Sequence, residues 1–135
     1  MIDKGDKDGV KQGMPVIDAL GVIGKIVETS AHLSKVILLT DPQFSVAAII
    51  ERTRESGLVS GTLQGLCRLR YLSDDTQIQV GDKVITSKLS GSFPEGLLIG
   101  EIVHIEEHPT EPSSEYIVEP VISPSEIEEV LVIVK

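Results

Sequence analysis

Three histidines, one cysteine and a few serines beside glycine are the side chains here whose types could carry chemistry. His104-Ile105-Glu106-Glu107-His108 superficially resembles a zinc motif. The helical motif places two histidines and a glutamate as His-Glu-x-x-His, so that both imidazoles share a face. Here the first glutamate comes one position late, and the context is a strand running into a loop with Pro109. Residues i and i+4 of a strand share a face but stand about 13 Å apart, too far for one ion. Serine chemistry fares no better. His32 and Asp41 in the first half, with Ser87, Ser90 or Ser92 in the second, have the order of a protease triad on paired barrels. No Gly-Asp-Ser-Gly-like turn surrounds any of these serines, and Gly81-Asp82 is followed by Lys83. The acid pairs Glu106/Glu107 and Glu128/Glu129 are adjacent, so on strands they point to opposite faces, which is wrong for acid–base cooperation. Cys67 alternates with Leu69 and Tyr71 on an apolar face, which reads as a buried thiol. Gly21-Val22-Ile23-Gly24 lacks the third glycine and following helix of a dinucleotide site, and no Lys-Ser/Thr follows it. No catalytic residue, metal ligand or cofactor site is expected.

What must be positioned, then, is surface. Turn residues punctuate the chain often, and the segments between them read as strands: 14–17, 22–28, 35–40, 46–52, 57–60, 66–72, 83–87, 97–105, 115–121 and 129–134. No window holds a 3.6-residue apolar repeat long enough for a substantial helix, although single helical turns could follow Asp41 and Ser123. Val36-Ile37-Leu38-Leu39 is apolar on both faces, as in a strand covered on both sides.

An internal repeat organises these strands. Gly13-Met14-Pro15-Val16-Ile17 followed by Gly21-Val22-Ile23-Gly24-Lys25-Ile26-Val27 is echoed by a second copy. That copy is Gly81-Asp82-Lys83-Val84-Ile85-Thr86 followed by Gly96-Leu97-Leu98-Ile99-Gly100-Glu101-Ile102-Val103. Further on, Val36 to Pro42 loosely parallels Val118 to Pro124. The repeat predicts an all-β protein of two small antiparallel β-barrels related by internal duplication. The expected division is 1–73 and 74–135, near the polar stretch Ser73-Asp74-Asp75-Thr76. One domain could instead be discontinuous, with 1–18 returning to 74–135. The two interior glycines, Gly24 and Gly100, read as structural positions where another backbone comes close.

Composition agrees and narrows the partners. The 135 residues contain 41% hydrophobic but only 3% aromatic residues, so the core must be aliphatic and suits strands. With 21 acidic and 12 basic residues the net charge is −9, which repels phosphate backbones and argues against a nucleic-acid partner. No apolar run approaches the roughly 18 residues of a membrane span. The opening Met1-Ile2-Asp3-Lys4-Gly5 is polar from its third residue, unlike a signal peptide, and reads as the start of a fragment.

The motifs resemble a known family. Asp3 to Val16, Gly21 to Val27, Ser34 to Pro42, Gly57 to Gly61, Val80 to Ser87 and Phe93 to Gly100 resemble, in order, the extracytoplasmic region of rod shape-determining MreC proteins, as does Glu119-Pro120 through Ile133. Lys88-Leu89-Ser90 departs from the usual Gly-Leu-Gly-like turn. The resemblance implies two six-stranded barrels like chymotrypsin half-barrels without a triad. It also implies a transmembrane helix and coiled coil ahead of them in the whole protein, at the periplasmic face of the bacterial cytoplasmic membrane. The implied function is a non-catalytic scaffold of cell-wall elongation that self-associates as a dimer or filament. Implied partners are a class B penicillin-binding transpeptidase, MreD, RodA and MreB filaments. Candidate partner-binding residues are Phe44, after Asp41-Pro42, and Leu89 and Phe93 in the loop from Ser87 to Gly96, since apolar loop tips make good anchors; the other reading of each turn phenylalanine is a plug for its own barrel end. The alternative is a module that binds peptidoglycan, for which Tyr71 and Tyr116 with no tryptophan offer few stacking platforms.

Overall fold

The computed structural model describes residues 2–62, 64–70, 78–89, 91, 93–106 and 115–121, and the backbone of 131 and 132. After a short 3-10 turn at Asp6–Asp8, the chain forms ten strands. They are β1 Pro15–Ile17, β2 Val22–Thr29, β3 Ser34–Leu38, β4 Ser45–Ile50, β5 Ser56–Gly61, β6 Cys67–Arg70, β7 Lys83–Thr86, β8 Leu98–Glu106, β9 Glu115–Pro120 and β10 Leu131–Val132. Each lies within or beside a segment expected from the sequence. The single helical turn expected after Asp41 is a plain turn, and Ser123 lies outside the described residues.

Strands β4-β5-β6-β9-β8-β7 close into an antiparallel barrel, and β10-β1-β2-β3 form an open sheet. The all-β expectation and a six-stranded barrel therefore hold, but the described residues contain one closed barrel, not two. The expected boundary at Ser73 and Asp74 falls between β6 and β7 of that barrel. The open sheet is instead built from both ends of the chain, because β1 pairs with β10. The physical reason is that the repeat specifies a three-stranded meander, while closure depends on β5 and β6, which have no counterpart in the open sheet among the described residues.

The two meanders match in detail. Val16 faces Gly24 and Ile17 faces Val22, with a register slip between; Val84 faces Gly100 and Ile85 faces Leu98, with the same slip. A second slip recurs after Ile26–Val36 in one meander and after Ile102–Val118 in the other. The Gly13 N–H donates to the Ile26 carbonyl at 2.7 Å, and the Gly81 N–H to the Ile102 carbonyl at 2.8 Å. On the outer side, Val132 of β10 lies opposite Val16 as Ile50 of β4 lies opposite Val84. Gly24 and Gly100 are the hinge of this correspondence. A Cβ on either would run into a carbonyl oxygen of the next strand, that of Ile37 or Glu119. A side chain there would push β2 off β3, or β8 off β9.

Alternation along the strands sorts side chains in and out. In β6, Cys67 and Leu69 are buried while Arg68 and Arg70 face outward. The barrel core is aliphatic apart from Phe44, Cys67, Phe93 and Tyr116, and it includes Val22 of β2, so the open sheet is docked onto the barrel. A smaller core of Val10, Val16, Ile23 and Ile26 lies on the sheet. β3 separates the two, with Val36 and Leu38 packed on the small core and Ile37 on the large one. That arrangement explains its apolar run on both faces.

Candidate functional site

The three sequence candidates lie at one end of the barrel but do not share one environment. Phe44 follows a turn held by Asp41, whose carboxylate accepts the Gln43 N–H at 2.8 Å and whose carbonyl accepts the Phe44 N–H at 2.9 Å. Its side chain is fully buried. Phe93 is 5% exposed, and the two rings meet edge to face at 89°, with centroids 6.1 Å apart. Lys25 Nζ covers the Phe44 ring at 5.7 Å from its centroid. Of the two readings the sequence left open for these rings, partner anchor or plug of the barrel's own end, their burial in the barrel core fits the plug. Both rings belong to the barrel core, where they supply bulk that its aliphatic residues lack.

Leu89 is different. It is 75% exposed, the most open of the large apolar side chains among the described residues. The loop carrying it is braced from below. Thr86, fully buried, donates its hydroxyl to the Pro94 carbonyl at 2.6 Å and accepts the Leu97 N–H at 2.8 Å. The Gly96 N–H donates to the Thr86 carbonyl at 2.9 Å. Ser87, also buried, accepts the Leu89 N–H at 3.0 Å. Leu89 thus stands in water beside backbone that is fastened at Thr86 and Ser87. Ser90 and Ser92 lie outside the described residues.

The groups weighed for chemistry are placed as follows. Cys67 is buried, donates to the Leu39 carbonyl at 3.2 Å, and burial pushes its thiol up to about 12. A thiol held that high is protonated at neutral pH and does not act as a nucleophile. His32 and His104 are exposed, and His108 is outside the described residues. Among the described residues, no three of His, Cys, Asp and Glu gather to hold a metal. Tyr116 is buried, so it offers no stacking surface, and Tyr71 lies outside the described residues.

Charged pairs that sequence reasoning did not single out tie the barrel together. Arg52, in the turn after β4, forks onto Asp82 before β7 with two bonds of 2.9 Å. Asp82 is 8% exposed and also accepts the Gln79 N–H at 2.9 Å. The Arg52 hydrogen bonds hold its carboxyl below the usual aspartate range. Arg68 and Arg70 share Glu115 across β6 and β9, at 3.6 and 3.2 Å. The alternation of β6 was the available signal for the arginines; nothing local pointed from Arg52 to Asp82.

Comparison with known proteins gives a consistent result. The family model for the barrel core of rod shape-determining protein MreC matches residues 1–134. The cell shape-determining protein MreC of Listeria monocytogenes is 39% identical over 110 residues, covering 78% of this chain and 37% of that protein. The chain therefore spans well under half the length of that relative. The crystal structure of MreC from Pseudomonas aeruginosa superposes with a TM-score of 0.86 at 30% identity, covering 98% of this chain and 86% of that one. A complex between a penicillin-binding protein and MreC from Helicobacter pylori contains a similar chain, with a TM-score of 0.75, 20% identity, and 91% and 79% covered. That last likeness is one of fold.

Proposed function

Because the chain belongs to the MreC family of rod shape-determining proteins, we propose that it is a non-catalytic scaffold of the bacterial cell-wall elongation machinery. It binds a class B penicillin-binding transpeptidase through the loop that carries Leu89. The observation carrying this reading is an aliphatic side chain, 75% exposed, on a loop whose backbone is pinned to buried Thr86 and Ser87. Phe93 and Phe44 support it from beneath as the barrel plug. The Helicobacter pylori complex supports the choice of partner class. In the whole protein this region stands on the periplasmic side of the cytoplasmic membrane, held by a transmembrane helix. There it self-associates and connects to MreD, RodA and MreB filaments. The matching registers of the two meanders support descent by duplication. The closure of β4-β5-β6 with β7-β8-β9 into one barrel supports a chymotrypsin-like half-barrel put to non-catalytic use.

The test is titration of the chain against the purified transpeptidase ectodomain, with Leu89→Glu beside the unsubstituted protein. Because Leu89 is exposed, the variant keeps its strand circular dichroism and melting temperature, and its affinity falls at least tenfold. Unchanged affinity refutes the loop as contact. Co-sedimentation with purified sacculi in place of transpeptidase binding would favour the wall-polymer reading.

A further inference from the structure

The net charge of −9 is not spread along the chain. Residues 1–94 carry eleven acidic and eleven basic side chains, while residues 95–135 carry ten acidic and one basic. Four of those acids stand on β8 and β9, in two pairs directly across the ladder, Glu101 with Glu119 and Glu106 with Glu115. Like charges set opposite one another on a sheet repel and cost stability. Glu115 is compensated, since Arg68 and Arg70 share it. Glu101 and Glu119 are exposed, and neither has an ion pair or side-chain hydrogen bond among the described residues. Lys83 of β7 stands across from Glu101, one cation beside two carboxylates. A groove of about 350 Å³ lies at this pair, lined also by Leu98, Val103, Pro120 and Val121. We propose that the groove docks a basic segment of a partner protein. An arginine or lysine of that segment lays its aliphatic stem along Val103 and Pro120 and its charge between Glu101 and Glu119.

Beyond charge, two features of the fold carry it. The first is the bulge. Val103 is the extra residue where the β8–β9 register slips, and it is 39% exposed. A bulge re-aims a side chain, and this one brings an aliphatic group out beside Glu101. The second is the other meander, which shows the same face covered. Gly24 corresponds to Gly100, so Lys25 and Ile37, paired across β2 and β3, stand where Glu101 and Glu119 stand. Lys25 lies over the Phe44 ring, and Ile37 packs on the large core. That face of the first meander is joined to the barrel, whereas in the second it presents two carboxylates and an aliphatic groove to solvent. A surface that covers it must bring positive charge and apolar area together, which long basic side chains do.

The neighbouring segments of this chain lack that chemistry. Residues 107–114 contain two glutamates and residues 122–130 three, with no lysine or arginine in either. A second copy is less suited than a basic partner, because Arg52, Arg68 and Arg70 are already held by carboxylates of their own chain. Leu89 does not line the groove, so its occupancy is independent of the contact proposed for that loop.

The experiment adds a synthetic hexa-arginine peptide to the whole chain, with backbone amide shifts read by NMR and affinity by fluorescence anisotropy. Shifts centred on Glu101, Val103 and Glu119 are expected. Glu119→Gln should weaken binding by roughly fivefold or more. Glu95→Gln, which removes the same charge from another exposed position, should change it by less than about twofold. Val103→Ser keeps every charge but removes aliphatic surface, and should also weaken binding. Glu119→Gln relieves the opposed pair, so its melting temperature should not fall, which separates a lost contact from a lost fold. Equal losses for Glu119→Gln and Glu95→Gln would reveal diffuse attraction to the net charge and overturn the proposal. Shifts centred elsewhere, or unchanged affinity in Val103→Ser, would do the same. So would concentration-dependent self-association that Glu119→Gln abolishes, since the occupant would then be a second copy.

Discussion

Replacing Phe44 by alanine separates the two roles a turn phenylalanine can play. The ring is fully buried and meets Phe93 edge to face. Removing a buried Phe costs about 3–5 kcal/mol in transfer and cavity terms. About 0.5–1.5 kcal/mol of that is expected to appear as coupling to Phe93. The barrel mouth can collapse only partly, because backbone bonds pin the turns on both sides, at Asp41 and at Thr86. A loss of about 4 kcal/mol is therefore expected, a large share of the roughly 5–15 kcal/mol that holds a typical domain folded. Urea unfolding followed by circular dichroism measures it, with Phe93→Ala and the double variant completing a cycle. Partner affinity, measured well below the melting midpoint, should be nearly unchanged in Phe44→Ala. A stability loss below about 1 kcal/mol, set against the ordinary core range, would refute the plug. So would a loss of affinity with stability intact, which would favour the partner-contact reading of Phe44.

Other outcomes follow from geometry already described. Gly24→Ala and Gly100→Ala should each destabilise the fold by about 2 kcal/mol or more, because the added Cβ meets backbone that must shift; equal melting temperatures for wild type and both variants would contradict the close approach. Asp82 has its carboxyl held low by Arg52, so its contribution is present above the unfolded value near 4 and is lost as pH falls through the lower folded value. Melting curves of wild type and Asp82→Asn should therefore differ at pH 7 and converge towards pH 3. Cys67, with a thiol near 12, should resist a disulfide-exchange reagent at pH 8 until the protein is unfolded; fast labelling of the native protein would show that the thiol is accessible.

Much of the fold was legible because each strand is written locally. Alternation in Cys67-Arg68-Leu69-Arg70 gave the inner and outer faces of β6, and the two-sided apolar run at Val36 gave a strand lying between two cores. The glycine repeat marked where the next strand comes close, since Gly24 and Gly100 tolerate that approach and a side chain would not. Closure was not legible. Whether β3 or β9 receives another strand depends on segments far away in sequence, and the repeat is silent about them. The candidate site divided in the same way. A phenylalanine in a turn announces that it is near a surface, but its direction is set by the void it can fill, and both rings turned inward. Leu89 stays in water, on a loop fastened through Thr86 and Ser87.

The pairing of β1 with β10 bears on the order in which the molecule assembles as it is synthesised. Every strand of the barrel lies between Ser45 and Pro120, so all its ladder bonds can form once that stretch is available. β1 is made first but meets one of its two neighbours only when Leu131 and Val132 arrive. Contacts this distant along the chain form late, after the closer ones have shortened the loop between them. The barrel is thus an early foundation, and the sheet is a clasp fastened only when β10 emerges.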